Sequence, residues 1–440
     1  MSVSFASTRS PSPRSADEVS VILAAPGFGL HFTDHMVAIS WTNELGWHDA
    51  QVRAYGPLQL DPAASVLHYG QEIFEGIKAY RHADGSIWTF RPQANGERLQ
   101  RSARRLALPE LPVDLFVESL RQLVAVDAGW VPSAPETSLY FRPFMIADEA
   151  FLGVRAAHKA SYYVIASPAG PYFAKGVAPV SIWLSTEYAR AAKGGTGAAK
   201  CGGNYAASLL PQLQAAAKGA DQVVFLDAAE RRWIEELGGM NIVFVYKDGT
   251  LVTPESDSIL EGITRDSILQ LAADRGHKVE GRAVSIDEWR EGVASGDIVE
   301  VFACGTAAVV APIGQLKGHD FVDDAGQFEA GLRSLDLHRE ERLAEVVELA
   351  VEQTDQPDVL GGRVLQMREP ADHLLAEQPV GGPQVGFAGP VGLRLGLALA
   401  PLKADARGDR DAVDEDGVVL VELGGGAEGG ADPREMSRPV

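Results

Sequence analysis

Residues Lys193 to Ser208 read KGGTGAAKCGGNYAAS, a run of small residues and glycines around Lys200 and Tyr205. Lys200 stands between Gly-Thr-Gly-Ala-Ala and Cys-Gly-Gly-Asn, with no bulky side chain near it in sequence until Tyr205. Glycine has no Cβ, so a flat ligand could approach such a lysine closely. A flexible glycine linker that carries a lysine has the same composition, and the stretch taken alone favours that reading. The rest of the chain decides between the two.

The chain has 440 residues, 46% hydrophobic and 22% charged, an ordinary globular composition with length for two or three sizeable cores. A net charge of −21 argues against a nucleic-acid footprint and against binding to anionic membrane. Cys201 and Cys304 are too few for a disulfide framework, and no Cys/His cluster has metal-ligand spacing. No metal is expected, and a reducing, cytoplasmic location is. Val19 to Leu30 follows Arg9 and Arg14 as a signal peptide would, but Asp17 and Glu18 precede it and Pro26, Gly27 and Gly29 interrupt it. No run reaches the ~20 apolar residues of a membrane span, since Arg394 breaks the best candidate.

Residues 1–25, rich in Ser, Pro and Arg at the start, read as a disordered tail. Residues 26–167 read as a small α+β domain. Between Met36 and Tyr80 the runs MVAISW, AYGPLQL and GIKAY alternate as strands do, and SIWTFRP pairs back across Asp84-Gly85. Ala94–Leu108 and Asp114–Ala128 carry helical periodicity, and SLYFRPFMI and ASYYVIASP are further strands. Residues 168–179, with Gly and Pro punctuation, read as an interdomain linker, and 180–328 as a larger α+β domain. Its expected elements are strands VSIWLS, QVVFLD and IVEVFA, with helices around Ser208–Lys218 and from near Thr264. Strict βαβ alternation is missing, so α+β is preferred to doubly wound α/β.

From residue 329 onward the chain changes character, with no Trp or Tyr and one Phe, Phe387. Those residues hold 22 Asp and Glu against 11 Lys and Arg, so they carry −11 of the −21. Leu337–Gln353 could form a helix, and the remainder reads as an acidic, Gly/Pro-rich, largely disordered tail.

A surface lysine is protonated at neutral pH and is a poor nucleophile. Burial and an aldehyde cofactor would activate it. Pyridoxal 5'-phosphate needs a carboxylate for its ring nitrogen, a donor for its phenolate oxygen and an anion site for its phosphate. Glu236 in EELGGMN, Tyr205 and Arg98 are candidates for these roles, with Ile263 and Thr264 at a helix start in EGITRDS. Each residue also has an ordinary alternative: a core tyrosine, a solvated acidic pair with Glu235, a charged helix face, or a helix cap.

The combination is what distinguishes them. LHYGQEIFEGIKAYR (67–81), FRPQANGERLQRSARRL (90–106), TSLYFRP (137–143), GPYF (170–173), KCGGNYAAS, EELGGMN, LEGITRDS and CGTAA closely resemble, in order, motifs of the branched-chain aminotransferases of pyridoxal-phosphate fold type IV. The resemblance runs from about Gly27 to Val310 and implies a two-domain fold, a homodimer and transamination between L-leucine, L-isoleucine or L-valine and 2-oxoglutarate. It implies that Lys200 is the Schiff-base lysine and proton shuttle, that Tyr205 meets the phenolic oxygen and that Glu236 meets the ring nitrogen. Arg98, Ile263, Thr264 and Thr306 would hold the phosphate. Tyr69, Thr306 and Ala307 would receive the substrate carboxylate, and Phe74, Tyr140 and Tyr172 would line an aliphatic pocket. Arg142 would accept the side-chain carboxylate of glutamate at the entrance.

Two departures stand out. Some relatives carry a C-x-x-C pair after the CGTAA-like loop, where this chain has Ala308 to Ala311, so no such redox switch is expected. The family's last helix and aromatic terminus are not recognisable in 329–440, which suggests a reading-frame shift near Phe328 that the coding DNA would decide. A D-amino-acid aminotransferase or aminodeoxychorismate lyase is the nearest alternative within the class. An inactive or unstable product is the alternative outside it.

Overall fold

The computed structural model describes residues 3–170, 178–307 and 309–325. The expectations for Tyr172, for Ala308, for most of the 168–179 connection and for the tail beyond residue 325 lie outside the described residues.

Two mixed sheets account for the α+β class. The first is built from β1 (Ala6–Ser7), β2 (His35–Thr42), β3 (Gly46–Ala54), β4 (Glu72–Phe74), β5 (Ile77–Arg81), β6 (Ile87–Thr89), β7 (Ser138–Ile146) and β8 (Lys159–Ala169). Its order is β1-β3-β2-β8-β7-β5-β6, with β4 also on β7. The Asp84-Gly85 hairpin pairs Ala79 with Thr89 and Arg81 with Ile87. The second contains β9 (Val180–Ser185), β10 (Gln222–Leu226), β11 (Ile234–Leu237), β12 (Asn241–Tyr246), β13 (Leu251–Thr253), β14 (Val279–Gly281), β15 (Ile298–Gly305), β16 (Val309–Lys317) and β17 (Val322–Asp324). It runs β11-β10-β9-β16-β15-β12-β13-β14, with β17 on β16. The β9 pairs with β10 and β16 are parallel, while β12–β15 and β15–β16 are antiparallel.

Helices α1 (Ala16–Ala24), α2 (Ser65–Tyr69), α3 (Pro92–Arg105), α4 (Val113–Asp127), α5 (Gly202–Ala217), α6 (Ile263–Asp274) and α7 (Ile286–Ser295) complete the described chain. In α3 and α4 the apolar spacing does what it predicts. Leu99 and Ala103 join Phe116, Leu120, Leu123 and Val124 against Val37, Ile73, Phe141 and Tyr162 of the first sheet. Gly96 permits the close approach: a Cβ there would lie 3.2 Å from Val113 and 3.3 Å from Phe116. A second core gathers Ile182, Val224, Ile242, Phe244, Trp289 and Val301. Ala199 and Cys201, beside Lys200, belong to the first core although they follow the first strand of the second sheet.

Several expectations need correction. Residues 1–25 are not a featureless tail: Ala6–Ser7 pairs in parallel with Gln51–Val52, and α1 begins in a complete Ser15/Glu18 capping box. Val19 and Ile22 pack against the first core, and Arg9 Nη1 donates to the Val126 carbonyl at 2.9 Å. Strand β3 ends at Ala54, so GPLQL is not strand, and Pro168 and Ala169 belong to β8 rather than to a linker. Helix α5 starts at Gly202, six residues before the expected Ser208, because tertiary contacts described below hold its first turn. Helices α2 and α7 have no counterpart in the sequence reading. Among the described residues no helix is long and apolar enough to cross a membrane, and no group of His, Cys, Asp or Glu could hold a metal ion.

Candidate active site

Lys200 is fixed at its backbone before its side chain matters. Its N–H donates to Ser102 Oγ of α3 at 2.9 Å, and its carbonyl accepts the Phe74 N–H of β4 at 3.0 Å. The Glu72 carboxylate, also on β4, takes the N–H of Gly202 at the start of α5. The first sheet and its helix thus hold the loop that carries the lysine. Lys200 Nζ donates to the Tyr205 hydroxyl at 2.8 Å and lies 5.1 Å from the Phe74 ring centroid. Burial, with Arg98 adding to it, lowers the amine from its ordinary 10.5 to about 8, against the opposing pull of Glu75. Burial and then the Glu236 carboxylate push the Tyr205 phenol up to about 12, so it remains a donor at neutral pH.

Arg98 is buried and held side-on by Glu75. Its Nε donates to Glu75 Oε1 and its Nη2 to Oε2, both at 2.8 Å, while Nη1 donates to the Glu261 carbonyl at 3.0 Å. Guanidinium has five N–H donors, so these bonds leave one on each Nη, the end-on fork that suits a phosphate. Burial alone would raise the Glu75 carboxyl, but Arg98, Lys200 and Asn95 together outweigh it and hold it below the usual range. The Glu261 carbonyl lies just ahead of α6, whose N-cap is Gly262 with no side-chain cap. Thr264 is therefore not the cap. It sits inside the first turn with Ile263, where backbone N–H groups are available to an anion.

Glu236 is buried on β11. Its Oε1 pairs with Arg190 Nη2 at 2.5 Å and accepts the Leu260 N–H at 2.9 Å. Burial raises this carboxyl, opposed by Arg190, the Leu260 N–H and Lys200. The solvated pair with Glu235 is excluded, because Glu235 is buried as well and accepts from Ser258 Oγ. The turn at Thr306 and Ala307, between β15 and β16, is tied to the first sheet by Lys78, whose Nζ donates to the Ala307 carbonyl at 2.9 Å. Burial lowers the Lys78 amine to about 8.

The aromatic wall is present in part. Phe74 lies 4.9 Å from Tyr205 between ring centroids, and the Arg142 guanidinium sits 4.8 Å over Phe74 and 5.5 Å over Tyr140. Gly76 makes room for Tyr140: a Cβ there would be 2.1 Å from its hydroxyl. Phe28, missed in the sequence, meets Tyr140 edge-on at 5.0 Å. Tyr69 does not join this group. It is 42% exposed on α2 and donates to the Leu152 carbonyl.

Lys200, Tyr205, Phe74, Tyr140 and Arg142 therefore form one contiguous group. Arg98 and Glu236 both act electrostatically on this group: Arg98 lowers the Lys200 amine, and Glu236 and Arg98 act in opposite directions on the Tyr205 phenol. Sequence reasoning missed Glu75, Arg190, Ser102, Lys78 and Phe28. Glu75 lies within the quoted FEGIK motif, but only the burial of Arg98, visible in the structure, shows that it needs a carboxylate there. The residues fit a phosphorylated pyridine aldehyde: a desolvated amine, a neutral phenol donor, a buried carboxylate and an arginine with an open fork.

Comparison with known proteins identifies the family. The amino-transferase class IV family model matches residues 72–316. The branched-chain-amino-acid aminotransferase of Mycolicibacterium smegmatis is 64% identical over 304 residues, 68% of this chain and 83% of that protein. That of Mycobacterium tuberculosis H37Rv is 60% identical over 321 residues, covering 72% and 87%. The branched-chain amino acid aminotransferase of Escherichia coli superposes with a TM-score of 0.53 at 26% identity, over 68% of this chain and 92% of that one. The chain belongs to the class IV aminotransferases, within the branched-chain aminotransferase family.

Proposed function

We propose that the chain transfers the amino group of L-leucine, L-isoleucine or L-valine to 2-oxoglutarate, and the reverse, with pyridoxal 5'-phosphate at Lys200. The observation that carries this reading is the part-buried Lys200–Tyr205 pair, electrostatically coupled to the buried Arg98 and Glu236, in a chain 64% identical to a protein named for that activity. Pyridoxal phosphate supplies an electron sink that stabilises negative charge at the substrate Cα.

Everything else falls to the chain. Arg98 offers its open Nη fork, and Ile263, Thr264 and Thr306 offer polar groups, to the phosphate. Glu236, whose carboxyl is raised by burial and pulled back by Arg190, would face the ring nitrogen and share its proton. Tyr205 donates to the phenolate oxygen. Lys200, with an amine lowered to about 8, can hold or release a proton near neutral pH and moves it at the substrate Cα. Thr306 and Ala307 receive the substrate carboxylate on a turn anchored by Lys78. Phe74 and Tyr140, with Phe28, would line the space for the aliphatic side chain, a role the family resemblance extends to Tyr172, and Arg142 would take the distal carboxylate of glutamate. Apolar contacts discriminate by only ~1–3 kcal/mol per methylene, which fits tolerance of all three aliphatic substrates.

A homodimer belongs to the same reading. Leu209, Leu210 and Leu213 are exposed on α5, and Leu67, Tyr69, Leu152 and Val154 are exposed as well. Tyr69, exposed and bonded to the Leu152 carbonyl, would act at the site of a second copy. A cytoplasmic location accords with two buried free cysteines.

Purified protein should be yellow, and borohydride should fix the cofactor to Lys200. Lys200→Ala should abolish turnover of L-leucine with 2-oxoglutarate while the protein stays folded. Turnover retained in that variant, colourless protein, or preference for D-alanine or aminodeoxychorismate over L-leucine would overturn the reading.

A further inference from the structure

Arg142 is an unusual arginine. Its Nε is buried without a hydrogen-bond partner, its Nη2 reaches the Tyr140 hydroxyl at 3.3 Å, and its guanidinium carbon lies over the rings of Phe74 and Tyr140. Among the described residues, no carboxylate forms an ion pair with it. A guanidinium in such surroundings normally has a counter-charge at hand. Glu72 is placed to supply one. It shares a face of β4 with Phe74, two residues away, and Phe74 is the ring that carries the Arg142 guanidinium. Glu72 does not commit its charge to a direct bond with arginine, because Oε1 is turned to the Gly202 N–H. Burial raises the Glu72 carboxyl, while the Gly202 N–H and the charge of Arg142 pull it back.

We propose that Glu72 is a specificity-determining residue that acts as the counter-ion of Arg142. It balances the guanidinium when an aliphatic side chain occupies the pocket, and it opposes the distal carboxylate of a dicarboxylic substrate. Arg142 keeps its N–H donors open because its neutralising charge sits beside it rather than on it. The inference rests on the proposed role of Arg142 and adds the residue that sets how strongly that role is expressed. The backbone of the same Glu72 strand bonds Lys200 through Phe74, so the balance is struck on the strand that positions the lysine.

Glu72→Gln separates charge from structure, because the amide oxygen can still accept the Gly202 N–H at nearly unchanged volume. The experiment uses the cofactor-loaded enzyme and two unreactive acids, glutarate and 4-methylvalerate, with dissociation constants measured by calorimetry. Removing a like charge near the distal carboxylate should tighten glutarate relative to 4-methylvalerate by about threefold or more at low salt, with a smaller ratio at high salt. The ratio of kcat/KM for glutamate over leucine should rise in parallel. A ratio that stays constant, or both acids shifting together as a merely structural cap would cause, overturns the proposal. Arg142→Gln provides the control: it should weaken glutarate relative to 4-methylvalerate. If Arg142→Gln leaves glutarate binding unchanged, the reading of Arg142 falls and the proposal falls with it. If Arg142→Gln acts as expected while Glu72→Gln does not, the proposal alone falls.

Discussion

Replacing Lys200 with methionine should stabilise the cofactor-free protein, and the size of the effect follows from the burial of the amine. Folding takes the amine from its ordinary 10.5 to about 8. A tenfold loss of proton affinity corresponds to about 1.4 kcal/mol, so the desolvated ammonium costs roughly 3 kcal/mol wherever both states are protonated. Methionine has no charge, follows a similar path and tolerates irregular surroundings. The lost bond to Tyr205 subtracts about 1 kcal/mol, leaving a net gain of roughly 2 kcal/mol near neutral pH. The pH dependence is the sharper test. Below about 8 both folded and unfolded chains hold the proton and the full penalty applies. Between about 8 and 10.5 only the unfolded chain holds it, so wild-type stability rises with pH and the advantage of the variant shrinks. Urea unfolding of both cofactor-free proteins, followed by tryptophan fluorescence across this range, measures the gap. A variant less stable than wild type at neutral pH, or a gap that does not change with pH, would refute the argument.

Other expectations follow from single contacts. Gly76→Ala places a Cβ 2.1 Å from the Tyr140 hydroxyl, so Tyr140 must move. Since a misplacement of ~1 Å in a site can cost ~100-fold, kcat/KM for leucine should fall at least tenfold with the cofactor still bound, and near-normal kinetics would count against Tyr140 as a pocket wall. Glu75→Gln removes the charge that holds Arg98 side-on, and breaking a buried pair costs ~3–5 kcal/mol. Cofactor affinity measured by equilibrium dialysis should drop at least tenfold, and an unchanged affinity would show that Arg98 is oriented by other means.

The local part of this molecule was legible in its sequence, and the non-local part was not. Helices α3 and α4 could be read because Leu99, Ala103, Leu120 and Leu123 repeat at helical spacing, and the Asp84-Gly85 hairpin because its turn chemistry is local. Helix α1 was legible too, in the Ser15-Ala-Asp-Glu18 capping box, but the Ser- and Pro-rich composition before it outweighed that signal. Sheet order was out of reach, since β2 pairs with β8 more than a hundred residues away. The site divides in the same way. Lys200 and Tyr205 announce themselves five positions apart. Glu75 meets Arg98 across 23 residues, Arg190 meets Glu236 across 46 and Lys78 meets Ala307 across 229, and nothing local reports those meetings.

The glycines around Lys200 illustrate why the linker reading failed. A linker glycine supplies freedom, and such a position has open space around it. At Gly197 a Cβ would lie 2.1 Å from the Ser258 carbonyl oxygen, and at Gly202 it would lie 2.2 Å from Glu72 Oε1. One contact is to a loop between the second sheet and α6, the other to a strand of the first sheet. The Gly194 and Gly195 carbonyls each accept from Arg105 of α3 at 2.9 Å. Gly197 and Gly202 are thus places where backbone packs closely against another element, which is the opposite of freedom, while Gly194 has open space and serves a left-handed turn at φ +77°. The amine of Lys200 is accordingly lowered by burial and by Arg98, drawn from a helix on the first sheet, and its hydroxyl partner comes from α5 beside the second sheet. Its reactivity is a property of both sheets assembled around the loop, and a fragment holding either sheet alone would return the lysine to water and to an ordinary ammonium.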